Sequence, residues 1–267
     1  MNQVQKITLF PIKSTQPYFV QQAYVQPHGL NFDREFMLTD VNGKFITARK
    51  HGALYQLSAF PVAQGLIVRH CDGSQIVVRY RDFNVQESCE VWGTHFPSFI
   101  APANINRWFS EKLQEEVVLR WLGEMDQRFV KKMPNKSVSF ADGYPLLLVT
   151  QSSFDAVQAV CPASISIDQF RANLVVTGEE AFAEEQWLKI KIGEMEFLHT
   201  KPSSRCVLTT RNLQSGELDA KCEPFRTLKK IHTNADGEPL FGINLVPINS
   251  GVVRVGDKVT VLQYRAE

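Results

Sequence analysis

Alternation with a period of two constrains this chain more than any other feature. Residues 75–80, 188–192 with 195–198, and 252–255 with 258–262 alternate or are β-branched, and the turn pairs Asp72-Gly73, Gly193-Glu194 and Gly256-Asp257 bound them. Successive strand side chains point to opposite faces, so such segments bury one face, and the glycine pairs supply the reversals. The chain reads as mainly β with short hairpins. Antiparallel strands hide their edges by closing up, which predicts a mainly β (α+β) fold with a β-barrel C-terminal domain and flanking helices.

Three helices are expected against that background. Asn104 is placed to cap residues 105–116, where Ile105, Trp108, Phe109 and Leu113 form one apolar stripe. Thr150 or Ser152 is placed to cap a helix running to about Val160, with Phe154 and Val157 inward, and Pro224 opens a third helix through Ile231. Between Leu122 and Asp142 lies a polar stretch holding Lys131, Lys132 and Lys136 that breaks both periodicities. It divides the chain into modules at residues 1–122 and 123–267.

Composition excludes several functions. A net charge of +1 gives no global field, so stable nucleic-acid binding is not expected. No run of eighteen apolar residues occurs, and residues 1–10 form neither a secretory signal nor a transit peptide, so the expectation is a cytoplasmic protein without a membrane segment. The five cysteines are odd in number and scattered, which argues for free thiols. Without a C-x-x-C spacing or an H-E-x-x-H pair, neither an iron–sulfur cluster nor a local zinc site is expected in this chain. The glycine-rich phosphate loops are absent too.

One cysteine stands apart. Cys206 sits in Lys201-Pro-Ser-Ser-Arg-Cys206-Val-Leu-Thr-Thr210, beside fixed positive charge. An adjacent cation stabilises a thiolate, which can attack an electrophile or hold a metal, and the residues alone also allow a plain free cysteine at a strand end. Three further segments concentrate cations and small polar groups. Phe10-Pro-Ile-Lys13-Ser14 ends the first strand; Asp33-Arg34 starts another on an arginine and is followed by Thr47-Ala-Arg49; Phe170-Arg171-Ala-Asn173 puts Arg171 and Asn173 on one face of a strand. Arginine forks, lysine charges, hydroxyls and an amide suit a phosphate-bearing organic anion.

These segments, with Asp142-Gly143-Tyr-Pro145, Thr209-Thr210, Pro239-Leu-Phe-Gly242 and Val255-Gly-Asp257, occur in an order that resembles the MOSC-domain proteins. The similarity is greatest to the amidoxime-reducing components and their bacterial relatives, in which an N-terminal MOSC β-barrel module precedes the MOSC domain. The resemblance implies a molybdenum cofactor bound between two β-barrel-like modules, with Cys206 as protein ligand to the metal and catalytic residue. It implies contacts to the pterin and its phosphate from Lys13, Ser14, Arg34, Arg49, Arg171, Asn173, Ser204 and Arg205, and hydroxyl contacts from Thr150 and Ser152. Pyridoxal phosphate binding and a part in detoxification are further expectations from it.

The implied reaction is reduction of small N-hydroxylated substrates: amidoximes, hydroxylamines and N-hydroxylated base analogues. A non-enzymatic molybdenum-cofactor or sulfur carrier using Cys206 is the alternative. Some relatives add a ferredoxin-like domain after the MOSC domain, whereas this sequence stops at Glu267. Electrons are therefore expected from a separate ferredoxin-like or flavin reductase protein, with Lys131, Lys132 and Lys136 as docking residues. Two departures from the family pattern are Asn244, where relatives often carry an aromatic residue, and the loop Arg211-Asn-Leu-Gln-Ser-Gly-Glu217, which lacks their Asp-Pro.

Overall fold

The hairpins implied by the alternation are present in the computed structural model, which describes residues 2–124 and 128–266. The largest sheet has eight strands, in the order Tyr18–Val20, Val4–Leu9, Leu174–Val176, Leu146–Thr150, Leu240–Pro247, Met195–Ser204, Trp187–Ile192 and Val259–Tyr264. All neighbours are antiparallel except Leu146–Thr150 and Leu174–Val176, which run parallel. A parallel pair needs a crossover, and helix α1 of this half (Gln151–Val160) supplies it. Burial alternates along Met195–Ser204, with Met195, Phe197 and His199 inside and Glu196 and Leu198 less so. Ile7, Leu148, Leu174, Phe197 and Ile243 are fully buried in one core on this sheet.

The first strand pairs with residues 174–176, so the start of the chain belongs in space to its second half. The same holds for Gln22–Gln26, which pairs with Gly251–Arg254. Residues 36–121 build a separate core from a four-stranded sheet and the three-stranded sheet Leu57–Val62, Gly65–His70 and Gln75–Arg79. The apolar stripe of the helix Ala103–Leu113 closes that core: Ile105 and Phe109 are buried, and Trp108 and Leu113 pack against them. The fold is mainly β with three α-helices among the described residues, as expected.

Several local expectations need correction. The helix Ala103–Leu113 is not capped by Asn104. Pro102 takes the N-cap position, where its carbonyl accepts from the amides of Ile105 (3.0 Å) and Asn106 (3.1 Å), while Asn104 lies exposed inside the first turn. The helix also ends early, at Leu113, because Gln114 adopts a left-handed φ of 53°. The stretch between Leu122 and Asp142 carries its own hairpin, Phe129–Val130 with Met133–Ser137, whose turn is Lys131-Lys132; residues 125–127 and Glu267 lie outside the described residues. Thr150 caps Gln151–Val160 as expected, and Phe225–Ile231 follows Pro224.

Candidate functional site

Cys206 follows the end of the strand Met195–Ser204, in extended backbone (φ −127°, ψ 176°), at the start of the short turn Val207–Thr210. Half-buried there, it lines a cleft of about 330 Å³. The loop after the first strand brings Lys13 and Ser14 to the same cleft, and the segments before Phe36–Thr39 and Leu174–Val176 bring Arg34, Arg171 and Asn173. Arg49, Ser204 and Arg205 complete the set.

Arg49 connects the thiol to an acid. Its Nε donates to Cys206 Sγ at 3.2 Å and its Nη2 donates to Asp142 Oδ2 at 2.8 Å, while its guanidinium lies 4.7 Å from the Trp92 ring centre. The other oxygen of Asp142 takes a short hydrogen bond from Lys13 Nζ, which also donates to the Phe140 carbonyl at 2.7 Å. Burial opposes ionisation of Asp142, but Lys13 and Arg49 outweigh it and hold the carboxyl below the ordinary carboxylate range. For Lys13 burial wins: it pushes the ammonium down to about 8 against the attraction of Asp142. The sequence motif around Asp142 does not point to this role. Its only sequence signal is that motif.

Three cleft residues have left-handed backbone without being glycine: Ser14 (φ 73°), Arg34 (φ 50°) and Arg171 (φ 56°). This corrects the reading of Arg34 and of Arg171 with Asn173 as strand residues, since the strands begin only at Phe36 and Leu174. Each such residue costs roughly 1–2 kcal/mol, so local bonds must hold it. The Arg34 amide donates to the Phe10 carbonyl at 2.9 Å, and the Arg171 amide to the Asp168 carbonyl at 3.0 Å as a turn of 3₁₀ helix closes. Both guanidinium groups then stack on the Phe10 ring, at 4.4 and 4.0 Å from its centre. Asn173 ties the set together: its Oδ1 accepts from Arg34 Nη1 (2.9 Å) and the Leu147 amide (3.2 Å), and its Nδ2 donates to the Thr8 carbonyl (3.1 Å).

Residues 1–116 match the MOSC N-terminal beta barrel domain family, and residues 135–260 match the MOSC domain family. The chain is a MOSC-domain protein. It is 29% identical to "Mitochondrial amidoxime reducing component 2" of Homo sapiens, over 96% of this chain and 82% of that protein. It is 26% identical to "Mitochondrial amidoxime-reducing component 1" of Xenopus laevis, over 96% of this chain and 81% of that protein.

Two of the expected contact residues of this MOSC protein lie elsewhere. Thr150 is fully buried, its Oγ1 donating to Glu184 Oε2 (3.1 Å) and accepting from the Ser153 amide (3.2 Å). Ser152 Oγ donates to Thr150 Oγ1 and to the Glu180 carbonyl. Neither lines the cleft, because their hydroxyls complete a helix start and a buried carboxyl. Arg171 and Arg205 are held back from the open cleft: Arg171 packs against Tyr55, 5.7 Å from its ring centre, and Arg205 Nε is buried without a hydrogen bond. Arg205 is otherwise held by Ser203 Oγ (3.0 Å) and the Phe170 carbonyl (2.6 Å), and burial lowers it to about 10, so it stays charged at neutral pH. With Lys13, Arg34 and Arg49 these arginines line one cleft, a concentration of positive charge that suits an anion.

Proposed function

We propose that this chain is a molybdenum-cofactor-dependent reductase of N-hydroxylated compounds, supplied with electrons by a separate redox protein. The observation that carries this reading is the convergence, in one cleft, of the half-buried Cys206 with Lys13, Arg34, Arg49, Arg171 and Arg205. The amidoxime-reducing names of the relatives give the reaction class.

The residues fit the cofactor. Arg34, Arg171, Arg205, Ser14 and Ser204 would hold the pterin and its phosphate, and Cys206 would bind the metal. Among the described residues no group of three His, Cys, Asp or Glu gathers to hold an ion, so the cofactor's own sulfur atoms would supply the remaining ligands. When bound, the cofactor supplies two-electron chemistry that removes the N–O oxygen as water, consuming two electrons and two protons. Arg49, by donating to Cys206 Sγ, would hold that sulfur in place for the metal, and Asp142 fixes Arg49 and Lys13 by bridging them. Pyridoxal phosphate forms no part of this reading.

Protein from a host that makes the cofactor should carry molybdenum and pterin near one per chain, and Cys206→Ala should lose the metal. With reduced methyl viologen the loaded protein should convert benzamidoxime to benzamidine. Loaded protein that binds and releases cofactor with no turnover would instead make it a carrier.

A further inference from the structure

The cleft holds six cations, and five of them are bonded to protein groups: Lys13, Arg34, Arg49, Arg171 and Arg205. The sixth is Lys201. Its side chain is exposed, and among the described residues its Nζ makes no hydrogen bond or ion pair and lies 5.8 Å from the centre of the Tyr144 ring. Asp142, the acid of this lining, already faces Lys13 and Arg49.

The backbone aims Lys201 deliberately. It sits between two irregularities in the pairing of Met195–Ser204 with Leu240–Pro247, one between His199 and Lys201 and one between Pro202 and Ser204. Bulges of this kind re-aim side chains and recur beside active sites. Directly across in register is Asn244, which also lines the cleft. Its Nδ2 reaches only the Lys201 and Pro202 carbonyls, at 3.4 and 3.5 Å, so its donor is poorly used.

We propose that Lys201, Asn244 and Tyr144 form a substrate subsite that selects planar N-hydroxylated compounds bearing an acidic group. The inference rests on the reductase reading above and names its substrate class. The acid pairs with the Lys201 ammonium and accepts from Asn244 Nδ2, while the flat body of the substrate lies on the Tyr144 ring. A cationic substrate meets uncompensated positive charge and is disfavoured.

The test uses the full molybdenum-loaded chain with reduced methyl viologen and three probes: benzamidoxime, its ring-carboxylated form, and the methyl ester of that acid. The ester has the size of the acid without its charge. The acid should exceed the ester in kcat/KM by roughly tenfold, mainly through KM, and added salt should shrink the gap. Lys201→Gln should bring the ratio to about one and Lys201→Glu should invert it, with molybdenum content unchanged. Direct binding of carboxylated benzamidine, the product of the acid probe, which has no N–O bond left to reduce, should weaken in parallel in Lys201→Gln.

An acid-to-ester ratio near one in the unaltered protein, a ratio insensitive to Lys201→Gln, or loss of molybdenum in Lys201→Gln overturns the subsite. Absence of turnover with all three probes sinks the reductase reading itself. In that case binding of carboxylated benzamidine that is strong and sensitive to Lys201 still supports the subsite, and binding insensitive to Lys201 overturns it.

Discussion

Arg49 and Cys206, 157 positions apart in sequence, meet at 3.2 Å, with the arginine Nε donating to the thiol sulfur. The same guanidinium spans to Asp142 at 2.8 Å, so one side chain joins the metal-binding candidate to the acid of the cleft. A fork can make both contacts at once; a point charge cannot.

Arg49→Gln should therefore lower viologen-driven turnover about 10- to 100-fold, the range for loss of a charge-assisted hydrogen bond in a partly buried site. Arg49→Lys should recover little of it. Steady-state kinetics on protein matched for molybdenum content would check this, and full activity in Arg49→Lys would show that charge alone matters.

Lys13 gives the cofactor-free protein a pH signature. Burial lowers it from 10.5 to about 8, so between those values the unfolded chain binds more protons than the folded one. Stability from this group therefore rises with pH across that window, and the cost of the buried ammonium is present in full below it. Urea unfolding of the native protein and of Lys13→Met should diverge by up to about 3 kcal/mol over the same range. Parallel curves would show that Lys13 keeps an ordinary affinity for its proton.

Ser14 is strained at φ 73° and glycine is not. Ser14→Gly should raise the stability of the cofactor-free chain by about 1 kcal/mol while lowering retained pterin, because the hydroxyl is lost from the cleft. Thermal melts and cofactor assays on one preparation separate the two effects. A variant that is both less stable and fully loaded would remove Ser14 from the site.

Thr150 should behave in the opposite way. Thr150→Val removes a helix cap and a donor to buried Glu184, at a cost of about 1–2 kcal/mol in stability. Molybdenum per folded chain should not change. If it falls, the hydroxyl has a part in the cleft that its 0% exposure does not suggest.

Donor docking is testable at the hairpin turn. Lys131 and Lys132 are exposed there, whereas Lys136 is half-buried and donates to the Pro247 carbonyl at 3.3 Å. The hairpin is tied to the cleft through Arg128, which donates to the Asp142 carbonyl at 2.8 Å. Charge reversal at Lys131 and Lys132 should slow turnover with an acidic protein donor, more so at low salt, and leave viologen-driven turnover intact. Equal rates at low and high salt with the protein donor would count against steering.

Strand positions were legible because alternation is local, as in residues 187–192 and 259–264. Strand partners were not: the pairing of Ile7 with Leu174 depends on contacts that no window of sequence contains. The cation- and hydroxyl-bearing segments are visible by chemical type, and their Lys13, Ser14, Arg34, Arg49, Arg171, Asn173, Ser204, Arg205 and Cys206 all line the cleft. The left-handed backbone of Arg34 and Arg171 left no trace, since nothing in an arginine marks a positive φ. Thr150 and Ser152, expected as contacts from the family resemblance alone, instead serve a helix start. Asp142 became interpretable only beside Lys13 and Arg49.

The placement of the first strand beside residues 174–176 has a consequence for synthesis. Lys13 emerges from the ribosome early but has no finished cleft to line until Cys206 and Asn244 follow it, nearly the whole chain later. A partly made chain therefore offers Phe10 and Arg34 without Arg171 and the thiol, and the complete cleft exists only after translation has passed the strand Leu240–Pro247.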